Sequence, residues 1–338
     1  MKKSTILSLA AAGMTTALFA GEAPALKNFY DRNEIRLYTE PLAIEALRDG
    51  KVVVPKTDIG LRVDGKCVAE GAKMTGSESA VVKQNVETPV YKKSSVRLDG
   101  REMTADFGDF AVSLFACKDG VAYRFALKKA GTVDCEKADV VVPKAARCWF
   151  NRTWRGALGC EETVPEFADA TALKTDGSKA YYLPFVYSAE GKTVAVVDAD
   201  VHDYPVWNFG DIEQTEAGAK LKSLFARYPK TTAHTANDGG WSKRKTVPKG
   251  GRWVSVQESE DFIAKAAAPR TLPWRVFILA DSPSGLCEAD ILYALATPAA
   301  NGEDFSWVKP GRSRGTGGTP STTRATPRAA RRRLTFAS

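Results

Sequence analysis

Short runs that alternate apolar and polar side chains dominate the sequence from about residue 25 to residue 300. In the clearest run, Val121, Tyr123, Phe125 and Leu127 fall on one face of an extended segment. Alternation with a period of two, bounded by turn residues, is typical of half-buried β-strands. The pattern therefore predicts an all-β, antiparallel fold.

The run beginning at Val121 follows Phe110–Phe115 across the turn Lys118-Asp119-Gly120, which is a hairpin signal. Similar runs occur at Lys51–Val54, Ser95–Leu98, Val140–Val142, Thr193–Val197 and Trp274–Ala280. Helical periodicity is sparse and predicts two short helices, near Pro41–Arg48 and near Ser284–Leu295. About 275 residues of strand pattern without a hydrophilic linker favour one large β-sandwich over two domains.

The first 20 residues have the character of a secretory signal peptide. Lys2 and Lys3 precede an apolar run from Ile6 to Ala20, and small residues follow at Ala20 and Ala23. A buried N-terminal helix is the alternative. From this pattern we expect an exported protein, periplasmic or extracellular. Because no later run reaches 18 apolar residues, we expect no membrane span.

Positive charge is concentrated at the C-terminal end. Residues 313–338 contain no acid and no Lys, and seven Arg lie between Arg312 and Arg333. Setting aside these seven together with Lys2 and Lys3 takes the net charge from +8 to about −1. The composition of residues 313–338 predicts a disordered tail. Without interleaved aromatics, and behind a secretory signal, it does not predict a nucleic-acid partner.

Six cysteines allow 15 pairings, and the sequence selects none of them. No Cys-x-x-Cys occurs and only two His are present, so a zinc site is not indicated. We expect mostly buried thiols, with one or two disulfides at most. His202 is interpreted as a hydrogen-bonding loop residue rather than a catalytic base.

Three segments, in this order and spacing, resemble the N-terminal domain of glycoside hydrolase family 97. They are Phe107-Gly-Asp-Phe110 ahead of Asp119-Gly-Val-Ala-Tyr-Arg-Phe125, then Thr271-Leu-Pro-Trp-Arg-Val276, then Ser306-Trp-Val-Lys-Pro-Gly311. The resemblance implies a large two-sheet sandwich like those of sugar mutarotases over residues 21–303. It also implies a linker over 304–312 that leads to a catalytic (β/α)8 barrel. Such enzymes hydrolyse α-linked glucosides or galactosides, and the sandwich alone does not choose between them.

After the linker, the family usually continues Ala-Trp-Asp-Trp-Trp-Asn, whereas this chain reads Ser-Arg-Gly-Thr-Gly-Gly-Thr over residues 313–319. Codons for the family segment, read in a shifted frame, give Gly at 315, 317 and 318. They also allow Thr at 316 and 319, and Arg at 314. We hypothesise a frame shift near Ser313, so that residues 313–338 are out of frame and the barrel is missing. No catalytic residue is then expected in this chain.

The resemblance also implies a calcium ion near the reacting sugar, held mostly by barrel glutamates and by one Glu of the sandwich. The donating segment follows an aromatic-rich strand, Cys148–Trp154, and reads Gly-Cys-Glu-Glu over residues 159–162. The family often has Tyr-Glu where this chain has Cys160-Glu161, so Glu161 is the first candidate ligand and Glu162 the second. Two solvated loop acids are the alternative. Since strong calcium sites need about six or more oxygens, we expect no tight binding by this chain alone.

Trp149, Trp154 and Trp207 are candidate sugar-stacking residues, with core packing as the alternative. Phe305 and Trp307 are expected to lie exposed where the barrel would dock. Two other functions stay open: a free-standing carbohydrate-binding sandwich, and a basic secreted protein that acts through its tail.

Overall fold

The computed structural model describes residues 23–87, 93–155, 163–235 and 253–297. The first strands are β1 (Leu26–Tyr30), β2 (Asn33–Thr39), β3 (Leu42–Arg48), β4 (Lys51–Val63), β5 (Lys66–Cys67), β6 (Gly76–Glu87), β7 (Ser95–Asp106), β8 (Phe110–Cys117), β9 (Gly120–Leu127), β10 (Gly131–Ala138) and β11 (Val140–Pro143). The remaining strands are β12 (Arg147–Trp154), β13 (Glu166–Asp169), β14 (Lys179–Ala189), β15 (Lys192–Ala199), β16 (Asn208–Gln214), β17 (Gly218–Leu224), β18 (Pro229–Thr235), β19 (Trp253–Ser259), β20 (Ala264–Ala266), β21 (Arg270–Thr271) and β22 (Trp274–Ala280). Helices α1 (Pro283–Leu286) and α2 (Ile291–Leu295) follow, and one 3-10 turn covers Ala170–Ala172.

The strands form two large sheets and one separate hairpin, β18–β19. The smaller sheet has the order β1-β2-β3-β4-β10-β20, with β5 paired to β4. The larger has the order β11-β17-β16-β14-β15-β22-β9-β8-β7-β6, with β12 paired to β14, β13 paired to β12, and β21 paired to β9. Neighbouring strands run antiparallel, as the alternation predicted.

The two sheets pack face to face around one apolar core, so the predicted sandwich is confirmed. Ile35 and Ile44 of the smaller sheet and Val112 and Phe185 of the larger are fully buried in it. The predicted inward face of β9 is confirmed too, since its four alternating residues from Val121 to Leu127 all belong to this core.

A second apolar cluster covers the outer face of the larger sheet. There Phe115, Trp274 and Ile278 pack against Ile291 and Ala294 of α2. Strand β22 is therefore buried on both faces, because Phe277 and Leu279 point into the central core. Helices α1 and α2 lie in the segment predicted to be helical near Ser284–Leu295.

Two of the segments that carried the family resemblance meet in space. Strands β9 and β22 pair antiparallel, with Tyr123 opposite Arg275. The Arg124 guanidinium lies 4.1 Å from the ring centroid of Trp274. At Gly120, φ is +153° and a Cβ would fall 2.2 Å from the carbonyl oxygen of Phe277, so that turn requires glycine. The paired parts of these two segments therefore contribute to packing.

The predicted helix near Pro41–Arg48 is wrong, because these residues form β3. Leu-Ala-Ile-Glu-Ala-Leu-Arg contains good helix formers. However, β3 pairs antiparallel with β2 on one side and with β4 on the other, and six of its seven residues are buried. Burial on both faces and two hydrogen-bonded neighbours outweigh a propensity of tenths of a kcal/mol per residue.

Several predictions concern residues that lie outside the described ranges. These are the signal peptide over 1–20, the linker over 304–312 with Phe305 and Trp307, and the tail over 313–338. No helix in the part of the chain that the structure describes has the length and apolar character needed to cross a bilayer.

Candidate functional site

The candidate site lies on the β12–β13 hairpin, at the ends of the segment that carries Glu161 and Glu162. Residues 156–162, including both glutamates, lie outside the described ranges, but the residues on either side are held by specific contacts. Arg155 donates from Nη2 to the carbonyl oxygen of Gly210 at 2.8 Å and to Oδ1 of Asp211 at 2.5 Å. These bonds fix the point at which the segment leaves β12.

The segment returns at Thr163, which is held on the other side. The Thr163 hydroxyl lies 2.7 Å from the hydroxyl of Tyr182 and donates to Oδ1 of Asn151 at 3.3 Å. Asn151 and Tyr182 are register partners on β12 and β14. Three hard oxygen atoms therefore converge one residue after Glu162.

An exposed aromatic pair lies beside these oxygens. Trp149 and Phe167 are register partners on β12 and β13, with ring centroids 5.4 Å apart. Trp149 is 38% exposed and Phe167 is 50% exposed. The Arg147 guanidinium lies 4.6 Å from the Phe167 ring centroid. Adjacent open aromatic rings with a cation at one side suit the C–H faces and hydroxyl groups of a sugar.

The other two tryptophan candidates differ from Trp149. Trp154 is 62% exposed, but it lies at the far end of β12, beyond a register shift that separates it from Trp149, and Lys179 is 5.9 Å from its ring. Trp207 is buried in the core, and its indole N–H donates to the carbonyl oxygen of Ala138 at 3.0 Å. The sugar-stacking hypothesis for Trp207 is therefore wrong, because its ring is covered on all sides.

The described carboxylates near this site are already paired. Arg152 donates to both oxygens of Glu166, at 2.8 and 2.5 Å, and this ion pair lowers the pKa of Glu166. Hydrogen bonds from the hydroxyl and amide of Ser178 lower the pKa of Asp176. A general acid in glycoside hydrolysis needs a raised pKa, so these two acids stabilise the hairpin rather than serve that role.

The donors at the end of the segment suit calcium in type but not in number. Within the described residues there is no group of three or more His, Cys, Asp or Glu that could hold a metal ion. The hydroxyl and amide oxygens of Thr163, Tyr182 and Asn151 are hard ligands, as calcium prefers. Ligands from outside the described residues would have to complete six or more positions.

The remaining candidates have structural roles. His202 is 72% exposed in a loop, with Nε2 3.3 Å from Oδ1 of Asp200. Cys117 and Cys148 are buried free thiols, whereas Cys67 and Cys135 are exposed free thiols. Sequence reasoning missed Phe167, because only the pairing of β12 with β13 brings it to Trp149. It also missed Arg147, which lies two residues before Trp149 on β12 and contacts the Phe167 ring.

Known proteins resemble this chain in sequence over most of its length. The family model described as "Glycosyl-hydrolase 97 N-terminal" matches residues 34–298. The "Retaining alpha-galactosidase" of Bacteroides thetaiotaomicron is 27% identical over 275 residues, which cover 78% of this chain and 39% of that protein. The "Probable retaining alpha-galactosidase" of Streptomyces bingchenggensis is 24% identical over 286 residues, which cover 83% and 38%. This chain thus spans about two fifths of the length of these relatives.

Solved structures share the fold. A glycoside hydrolase family 97 enzyme of Pseudoalteromonas sp. strain K8, in complex with acarbose, matches with a TM-score of 0.63 at 17% identity. The match covers 84% of this chain and 40% of that one. A β-arabinopyranosidase matches with a TM-score of 0.53 at 15% identity, over 76% of this chain and 40% of that one. At these identities the likeness establishes the fold alone.

Proposed function

This chain belongs to the glycosyl-hydrolase 97 N-terminal family, and from that membership we propose that it is the sandwich domain of an exported α-glycosidase. Its role is to support an active site that a following catalytic barrel supplies. The observation that carries the proposal is the family match over residues 34–298, in a chain that covers only 39% of its galactosidase relative. On this account the reading frame of the barrel is lost near Ser313.

The proposed substrates are α-linked galactosides or glucosides. Both curated relatives are named α-galactosidases, so galactosides are the first substrates to test. Sugar recognition by this chain would use Trp149 and Phe167, whose open rings offer a stacking surface next to polar groups. The two catalytic carboxyl groups would come from the barrel.

Calcium would be shared between the two domains. We assign Glu161 as the ligand that the sandwich donates, with Glu162 second. Arg155 and Thr163 would position that ligand by holding the ends of its segment. When bound, the ion would stabilise negative charge near the reacting sugar. One carboxylate and a few neutral oxygens do not make a strong calcium site, so this chain alone would bind the ion weakly.

The test is a pair of matched variants in a protein whose reading frame is restored after Ser313. Glu161→Gln should raise the calcium concentration needed for half-maximal hydrolysis of an aryl α-galactoside by about tenfold or more, since it removes a charged ligand. Glu162→Gln should leave it within about twofold. If both variants keep the calcium dependence of the parent, the sandwich donates no ligand from this segment.

A second candidate function is a free-standing carbohydrate-binding sandwich. The exposure of Trp149 and Phe167 favours it, because sugar stacking on an open surface needs no barrel. The two functions differ in one observable. A binding sandwich holds its sugar with useful affinity in the 338-residue chain, whereas a supporting domain does so only when joined to its barrel.

A further inference from the structure

Strand β6 forms a long, open edge of the larger sheet. It runs 12 residues, about 40 Å, and pairs with β7 on one side without a register shift. The sheet ends at β6, and none of the described residues forms a backbone hydrogen bond to its outer side. Ten of its 12 residues are exposed.

This edge has few of the features that prevent strands from pairing with other chains. Protective devices include short length, proline, bulges and several charged residues. Strand β6 has no proline and no bulge, and of its three charged residues, Glu78, Lys83 and Glu87, only one is a Lys. Val81, in the middle of the strand, is 64% exposed. An edge of this length and composition suits a β-strand partner.

We propose that two copies of this chain pair antiparallel through β6, so that the larger sheet continues into a second copy. Two-fold symmetry limits the register, because the residue at the axis must face itself. With Val81 at the axis, Lys83 faces Ser79 of the second copy, and Glu78 faces Gln84 of the second copy. About 11 residue pairs then form, with about ten new backbone hydrogen bonds.

Neighbouring registers are less favourable for the charged side chains. With Val82 at the axis, Lys83 faces Val81 and Glu78 faces Val86. With Ala80 at the axis, Glu78 faces Val82. Among these three, only the Val81 register places Glu78 and Lys83 both opposite polar side chains and pairs the exposed Val81 side chain with itself. The strand is thus complementary to a second copy of itself.

Cysteine cross-linking of the full chain tests both the contact and the register. Cα atoms of directly opposed residues lie about 4.5–5.5 Å apart, within the range that a disulfide can bridge. Mild oxidation of Val81→Cys should therefore give a covalent dimer above the background of the unmodified chain. Val82→Cys is the matched control, since in this register its two copies are diagonal neighbours about 7–8 Å apart. Cross-linking at position 82 and not at 81 would overturn the proposed register, and cross-linking at neither would overturn the contact.

Sedimentation velocity of the full chain tests the association without new disulfides. The unmodified chain should sediment as a dimer of a 36.6 kDa protomer at tens of micromolar concentration. Val81→Lys places two like charges opposite each other and should raise the dimer Kd by more than about tenfold. Val256→Lys, at another exposed strand valine, should not change it. A monomeric parent, or a Val81→Lys variant as dimeric as its parent, would refute the proposal. Slow hydrogen exchange of the β6 amides in a monomeric chain would also refute the proposal, because another segment of the same chain would then cover this edge.

Discussion

Glu136 and Arg275 form a buried, bidentate ion pair that joins the two sheets of the sandwich. Arg275 on β22 donates from Nε to Oε1 of Glu136 at 2.8 Å and from Nη2 to Oε2 at 2.6 Å. The Arg275 side chain is 0% exposed and the Glu136 side chain is 2% exposed. Tyr204 adds a hydroxyl hydrogen bond to Oε2 at 2.8 Å. Burial opposes the charged form of Arg275, but attraction to the Glu136 carboxylate and the hydrogen bonds with it raise the pKa of Arg275 above its ordinary value.

Replacing one partner of this ion pair should lower the free energy of unfolding strongly, whereas replacing both partners should lower it much less. Arg275→Met leaves the Glu136 carboxylate buried without its partner, and we expect it to lower the free energy of unfolding by about 3–5 kcal/mol. The double variant Glu136→Leu with Arg275→Met should recover most of that loss, because no buried charge remains. Urea unfolding of the three proteins measures both quantities. Equal losses in the single and double variants would show that packing, and not charge, dominates here.

A surface ion cluster around Asp281 should make the stability of the fold decrease at acidic pH. The Asp281 carboxylate accepts hydrogen bonds from Arg48, Lys192 and Arg32, and these bonds hold its pKa well below the ordinary value. A lowered pKa in the folded state stabilises the fold above about pH 4, where unfolded Asp is ionised, and this contribution declines as the pH falls below 4. Asp281→Asn should therefore lower the Tm at pH 7, and the difference from the parent should shrink towards pH 3.

The control for that series is Asp261→Asn, which changes a fully exposed carboxylate 4.0 Å from Arg227. It should lower the Tm little at either pH, since solvent screens an ion pair between exposed groups at this separation. A Tm difference for Asp281→Asn that stays constant from pH 7 to pH 3 would contradict the role given to its ionised form.

Thiol labelling should separate the cysteines by burial. Burial raises the pKa of Cys117 and of Cys148 to about 12, so at pH 8 they are almost wholly protonated. Cys67 and Cys135 are exposed free thiols and should react with iodoacetamide in the native protein. Peptide mass spectrometry before and after denaturation in guanidinium chloride gives the assignment. Native labelling of Cys148 would mean that the β12 region opens more readily than its packing indicates.

The aromatic pair on the β12–β13 hairpin should govern any sugar affinity of the 338-residue chain. Titration with raffinose and with maltotriose, followed by tryptophan fluorescence and calorimetry, measures that affinity. Trp149→Ala should weaken any binding by about fivefold or more, since it removes one stacking ring. Trp154→Ala, at the far end of β12, is the matched control and should not change it. The reverse result would move the sugar surface to the far end of β12, around Trp154.

The alternating pattern predicted the fold class well, because alternation with a period of two can be recognised within the sequence of each single strand. It failed at Pro41–Arg48, where Leu, Ala, Glu and Arg favour a helix and only the pairing of β3 on both sides opposes it. The order of strands was not predictable, since it depends on contacts such as β9 with β22 that join residues about 150 positions apart. The site was predicted in part. Trp149 stands out in the sequence, whereas Phe167 becomes its neighbour only through the hairpin register.

The most direct test of the central claim compares hydrolysis by the purified 338-residue chain with hydrolysis by a protein in which the proposed frame shift near Ser313 is reversed. Two carboxyl groups at a fixed separation must flank the scissile bond, and we assign both to the barrel. The 338-residue chain should therefore release no p-nitrophenol from aryl α-galactosides or α-glucosides, with or without calcium, and the restored protein should hydrolyse one of them. Calcium-stimulated hydrolysis by the 338-residue chain alone would contradict the account, because it would place a complete active site within the sandwich.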